Sequence, residues 1–222
     1  MIAEARDWGL DWHQTGARLT ALELLAALQH YGCPTRLLDF TFNPLIACWF
    51  AVESRQDQPG RLFAIDISDR LILRDDAALS EPWWLNVPPG TTTPWAIQSW
   101  VWRPPPLEPR MVRQDGCFLM GGVPSTQPAR AVRSGNAWRP LQAHEVRACM
   151  SVPFRLIQYD QAVAAFNGIH HPGAAPQARA FTLRINGDKE KMRAGLAQGF
   201  GHTYRSLFPD FPGMAVYGQS FR

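Results

Sequence analysis

From Thr20 onward the apolar positions Leu22, Leu25, Ala26 and Leu28 recur at helical spacing and fall on one side of a helix. Thr20-Ala21-Leu22-Glu23 opens it as a capping box, in which the Thr20 hydroxyl and the Glu23 carboxylate satisfy two otherwise orphaned amides. The helix is expected to end near Tyr31, because Gly32 supplies a left-handed cap and Pro34 cannot continue it. Arg36-Leu37-Leu38-Asp39 is too short for a helix and reads as a short buried strand. A second helix starts at Asn43-Pro44, an N-cap followed by proline at the first helical position, and runs to about Ser54. Leu45, Ile46, Cys48, Trp49, Phe50 and Val52 make it apolar almost all round, which predicts full burial. A turn at 56–60 leads into a strand over residues 61–67.

Residues 81–110 change character, with Pro82, Pro88, Pro94 and Pro104 among tryptophans that include Trp83, Trp84, Trp95, Trp100 and Trp102. A loop of that length is a lid, an aromatic platform or a packed cover. Strand character returns over residues 111–119, broken by Gly116, and again at 146–156 and 178–185. The last helix is capped by Asp188 and runs through Met192 and Leu196 to Gly199, followed by a loop at 206–210. Helices and strands mix without regular alternation. The expected fold is therefore α+β: a single domain over residues 1–222, with a mixed, mainly antiparallel β-core flanked by helices. Residues 1–19 form an irregular lead, and 81–110 are an inserted loop.

Composition narrows the chemistry. Of 222 residues, 46% are hydrophobic and 18% charged, which excludes a disordered chain. The net charge of +3 is spread without a block of like charges, so a polyanion footprint has little support. No apolar run is long enough to span a bilayer, and Glu4 and Asp7 stand where a signal peptide needs a basic head; the chain reads as cytoplasmic, soluble and not membrane-bound. Cys33, Cys48, Cys117 and Cys149 are far apart and read as reduced, mostly buried thiols. Neither common nucleotide-cradling glycine loop, nor a zinc spacing, nor a Gly-x-Ser-x-Gly elbow occurs, and no metal is expected.

Three segments in order then carry a resemblance: residues 28–41, with Gln29-His30-Tyr31-Gly32 and Arg36-Leu37-Leu38-Asp39; residues 110–118, with Arg113-Gln114-Asp115-Gly116; and residues 206–213, with Ser206-Leu207-Phe208-Pro209-Asp210. Together they resemble the FRG domain, a bacterial family named for a Phe-Arg-Gly motif near its start, over about residues 24 to 217. Neither Arg6-Asp7-Trp8-Gly9 nor Thr15-Gly16-Ala17-Arg18 reproduces the naming motif. The resemblance thus implies a member without its first strand, through a late start or a true loss.

The order of the family's motifs is in turn similar to the plan of ADP-ribosyltransferases. In that plan an early arginine holds the NAD diphosphate, a Ser or Thr before a helix organises the nicotinamide ribose, and a late-strand Glu stabilises the oxocarbenium-like centre. Thr41 takes the second place and Gln114, on an Arg113-Gln114 strand, the third, with His30, Arg36, Asp39 and Arg113 reaching the dinucleotide. The resemblance implies an NAD-binding or NAD-consuming domain of toxin or phage-defence type, acting on a protein or nucleic-acid acceptor. A glutamine brings no negative charge to a developing cation, so slow transfer, NAD hydrolysis or binding without turnover all follow from it. The alternative is a non-catalytic module that binds a nucleotide, nucleic acid or protein through the Trp/Arg-rich loop. Each residue also has a plain structural role: Arg36 and Asp39 as a local ion pair, Thr41 as an auxiliary cap, His30 as a helix-end cation, and Gln114 as a strand residue beside a bulge.

Overall fold

Gly116–Met120 (β5) is apolar on alternate sides, and both sides are covered. Cys117 and Leu119 pack with Val101, Phe40, Ile65 and Ile67. Phe118 and Met120 pack with Trp102 and with Leu22, Leu25 and Ala26 of the first long helix. A strand buried on both faces belongs in the middle of a sheet. Leu38–Thr41 (β1) flanks β5 on one side and Trp100–Trp102 (β4) on the other, both antiparallel, and Leu71–Ile72 (β3) extends β4 in parallel. A second sheet orders Gly60–Ile65 (β2), Ala178–Ile185 (β9) and Phe154–Leu156 (β8), with β2 and β9 antiparallel and β8 and β9 parallel. Ala131–Ser134 (β6) and Ala137–Pro140 (β7) form a separate antiparallel pair. The computed structural model describes residues 1–13, 16–67, 71–72, 100–120, 131–134, 137–140, 154–156 and 178–219. Over these the architecture is the α+β arrangement that the sequence predicts, mixed and mainly antiparallel. The tryptophans at 83, 84 and 95, the strand expectation at 146–153 and Cys149 lie outside the described residues.

The helices start where their caps say. Ala21–His30 (α2) follows a capping box in which Glu23 N–H donates to the Thr20 hydroxyl and Thr20 N–H donates to the Glu23 carboxylate. Pro44–Glu53 (α3) follows Asn43, whose side-chain oxygen accepts from the Leu45 and Ile46 amides. Its burial is one stripe of Ile46, Trp49 and Val52, not the whole circumference: Phe50 is 44% exposed, because α3 meets the fold on a single side. Residues 1–19 are not irregular throughout. Ile2–Asp7 (α1) is helical, and buried Asp11 accepts from Arg18 Nε at 2.6 Å while Trp12 and Arg18 form an isolated bridge.

Three further expectations shift. The first strand begins at Leu38, with Leu38 and Asp39 exposed, because the Thr35 hydroxyl accepts from Leu37 N–H and holds the preceding residues in a turn. Residues 111–113 belong to a short helix, Pro109–Arg113 (α4), not to a strand. The proline at its first position fixes the helical φ, which outweighs the strand-like side chains that follow. The segment after Lys189–Phe200 (α5) is not only a loop: it contains Tyr204–Leu207 (α6) and leads to Phe211–Gly218 (α7).

The helices α3 and α5 pack through Ile46, Trp49, Val52 and Leu196, and β2 lies hard against α3. A Cβ on Gly60 would stand 2.4 Å from the Ala51 carbonyl oxygen, so only glycine fits there. The carbonyls just past the end of α3 are closed by a buried lysine: Lys189 Nζ donates to Ser54 O at 2.9 Å and to Arg55 O at 3.0 Å. Lys189 is one of only two lysines in the chain. Replacing it by methionine keeps the apolar stem but strands two carbonyls, and the urea midpoint should fall by the equivalent of about 1–3 kcal/mol. An unchanged midpoint would show that water satisfies these carbonyls equally well.

Candidate functional site

A cleft of about 580 Å³ opens where the end of α2, strand β1, the Ala47, Phe50 and Ala51 side of α3, the start of β2 and the α4–β5 turn come together. Phe40, Phe50, Phe63, Phe118 and Phe208 supply its apolar walls. Its polar groups are Gln29, His30, Asp39, Thr41, Arg61, Arg110 and Gln114. Such a volume, mainly apolar with a few convergent polar groups, is that of a small-molecule site.

Thr41 ends β1 and sits two residues ahead of the α3 cap. Its hydroxyl accepts from Asn43 N–H at 3.0 Å and donates to Gln114 O at 2.7 Å. The single O–H is therefore committed, and what Thr41 can offer a ligand is a lone pair. Gln114 is the C-cap of α4 and not a strand residue. Asp115, at φ 44° in the left-handed region, then turns the chain into β5, a conformation that aspartate tolerates better than most residues. Gln114 Nε2 donates to Leu207 O at 2.9 Å, and the amide oxygen of this cleft-lining residue is an acceptor. Asp39, exposed on β1, accepts from Gln29 Nε2 at 2.8 Å, and Gln29 in turn bonds the Thr35 hydroxyl. Arg36 and Arg113 are exposed and do not line the cleft, so the structure separates them from the other four predicted residues.

The cluster behind His30 was not legible in the sequence. Asp210, the N-cap of α7, accepts from Gly213 N–H at 2.7 Å and from Arg110 Nη2 at 2.5 Å, both through Oδ1. Its Oδ2 lies 3.4 Å from His30 Nε2. The His30 side chain is 3% exposed and that of Asp210 is 9%. The Arg110 guanidinium also stacks on the Phe208 ring, 4.7 Å from its centroid. Gly213 is required here, since a Cβ would stand 2.6 Å from the Phe208 carbonyl oxygen. The Asp-Phe-Pro-Gly run at 210–213 does announce a helix cap, but nothing local announces that the cap faces Arg110 and His30.

Electrostatics follow from this packing. Burial pushes the Asp210 carboxyl up, but the Arg110 and Gly213 hydrogen bonds and the Arg110 and His30 charges outweigh it, and the group ends below the usual carboxylate range. Burial and then the Arg110 charge hold the His30 imidazole below its ordinary range, against the pull of Glu108, Asp210 and Asp39. Burial pushes the Cys117 thiol in the cleft up to about 12, so it is not a thiolate nucleophile at neutral pH. Cys33, Cys48 and Cys117 are all free. Of the Pro/Trp-rich loop, Trp100 and Trp102 take the packed role and not that of a platform: both belong to β4, Trp102 is 0% exposed, and Trp100 packs against the same core. Arg103 pairs with Asp115 and stacks on Phe42. Among the described residues no three His, Cys, Asp or Glu side chains gather as a metal site, and no helix is long and apolar enough to cross a membrane.

Residues 4–59 match the FRG domain. The match covers about a quarter of the chain and takes in α1, α2, β1 and α3 together with the motif run at 28–41. It starts some twenty residues before the expected limit and ends well short of it, leaving the segments at 110–118 and 206–213 outside. Both of those segments nevertheless meet the FRG segment at the cleft, through Arg110, Gln114, Phe208 and Asp210. No curated protein and no solved structure matches the chain.

A neutral, buried histidine binds fewer protons folded than unfolded once the pH drops below its unfolded value of about 6.5, so stability must fall with pH from there. Urea midpoints measured from about pH 7.5 down to about pH 5 should therefore decline, and His30→Gln should flatten that decline. A mutant that loses stability as steeply as the parent would show that other groups cause it.

Proposed function

We propose that the cleft binds a nucleotide of the NAD class and that the FRG segment works as an ADP-ribosyltransferase-like, NAD-binding or NAD-consuming domain. The observation that carries this reading is the convergence of Thr41, Gln114, His30 and Arg110 on one phenylalanine-walled cleft of about 580 Å³. Each part suits a part of the ligand. The phenyl faces accept a nicotinamide or adenine ring by stacking, and guanidinium groups at Arg61 and Arg110 match a diphosphate in charge and fork geometry. Asp39 and the Thr41 and Gln114 oxygens are acceptors for ribose hydroxyls.

Turnover on this reading is slow. With its amide nitrogen bonded to Leu207 O, Gln114 presents a neutral oxygen to an oxocarbenium-like centre, and a neutral dipole stabilises a cation less than a carboxylate does. Asp39 is the carboxylate that lines the cleft. Calorimetric titration with NAD tests the reading. Arg61 is exposed at the rim, so Arg61→Ala should weaken NAD binding about tenfold, the value of one charge-assisted contact, with an unchanged melting temperature. No saturable binding at millimolar NAD would sink the proposal.

A further inference from the structure

Asp210 is already neutralised without His30. Its Oδ1 takes the Arg110 guanidinium and the Gly213 amide, while Oδ2 is buried, has no hydrogen-bond partner and points at His30 Nε2 from 3.4 Å. An imidazole placed beside a carboxylate that already has a full cation is not needed as its counter-ion. What the arrangement does is orient the ring: the carboxylate faces Nε2 from 3.4 Å, the Tyr31 ring meets the imidazole edge-on at 5.0 Å, and the Tyr31 hydroxyl is itself held by Glu108. With Nε2–H turned to Asp210, Nδ1 is the nitrogen left to accept a proton. The side chain is almost wholly buried, and the residue forms part of the cleft lining.

We propose that the cleft hydrolyses its nucleotide, with His30 as the base that deprotonates the attacking water and Asp210 as the residue that positions His30. This inference rests on the NAD reading and adds to it that the acceptor is water. In the step, the water oxygen bonds to C1′ of the nicotinamide-bearing ribose. The C1′–N bond breaks and its electron pair leaves with nicotinamide as a neutral ring. The proton lost by the water goes to His30 and from there to solvent. The groups that face His30 are Asp210 of α7, Arg110 of α4, Glu108 just before α4 and Asp39 of β1, and burial with Arg110 keeps the imidazole neutral and able to accept that proton. The 3.4 Å separation is of the kind that tightens when substrate fills a site.

Nicotinamide release from NAD, followed by chromatography from about pH 5 to about pH 9 beside calorimetric NAD binding, separates the possibilities. The parent should release nicotinamide at a rate that rises with pH through one ionisation and then levels. His30→Gln should cut the rate about a hundredfold or more and abolish the rise, with NAD affinity changed less than about threefold. Asp210→Asn should keep the rise but move it to lower pH, because the carboxylate no longer steadies the imidazolium; a merely structural Asp210 would leave the profile in place. If Asp210→Asn does not fold, the His30→Gln rate and profile decide alone. Binding by the parent without release at any pH, or a His30→Gln rate within about threefold of the parent, overturns the inference and leaves the NAD reading standing. Failure of the parent to bind NAD removes that reading, and this inference with it.

Discussion

One carboxylate ties together three chain ends that nothing else connects so directly. Asp210 caps α7 through Gly213, takes the guanidinium of Arg110 from α4 and faces the imidazole at the end of α2. Two of its partners, Arg110 and His30, line the cleft. Beside it, the Thr41 hydroxyl donates to Gln114 O and the Gln114 amide donates to Leu207 O, so β1, the α4–β5 turn and α6 are fastened by two hydrogen bonds in series. Chains of this kind are costly to leave half made, since each buried group that loses its partner keeps its desolvation penalty.

Only two of the chain's 22 basic residues are lysines, and the preference for arginine acquires a local meaning at this joint. Arg110 does several things that an ammonium would not do at once: it bonds Asp210, lies flat on Phe208 and still borders the cleft. A planar, weakly hydrated guanidinium suits a site that is part apolar wall and part ion pair. Where the chain does use a buried lysine, at Lys189, the task is to donate to two carbonyls just past the end of α3, which a compact head with several donors performs well.

What could be read from the sequence was local. The Thr20 capping box, the Asn43-Pro44 start and the Asp188 cap all act within a few residues, and each helix begins where its cap predicts. The strand expectation at 111–115 failed for an equally local reason, because Pro109 favours a helical first turn over the strand-like residues after it. Thr41, Gln114, His30 and Asp39 were drawn from motif strings and do line one cleft, whereas Arg36 and Arg113, from the same strings, point elsewhere on the surface. Strings record which residues travel together along the chain, not which way each faces. Asp210 illustrates the other gap: it falls in a segment expected to be a loop, and its partners lie on elements whose packing no short window contains.

The ties at Asp210 and Gln114 span 100 and 93 residues. Their loop-closure entropy has to be met before they return any stabilisation, whereas the capped helices α2 and α3 form from contacts within a few residues. The cleft is thus complete only once ties of this length have formed. A chain with its helices and even its β1–β5 pairing in place would still lack a binding site. Whatever ligand the cleft takes acts only on the finished fold, and its binding energy adds to the stability of that state and of no earlier one.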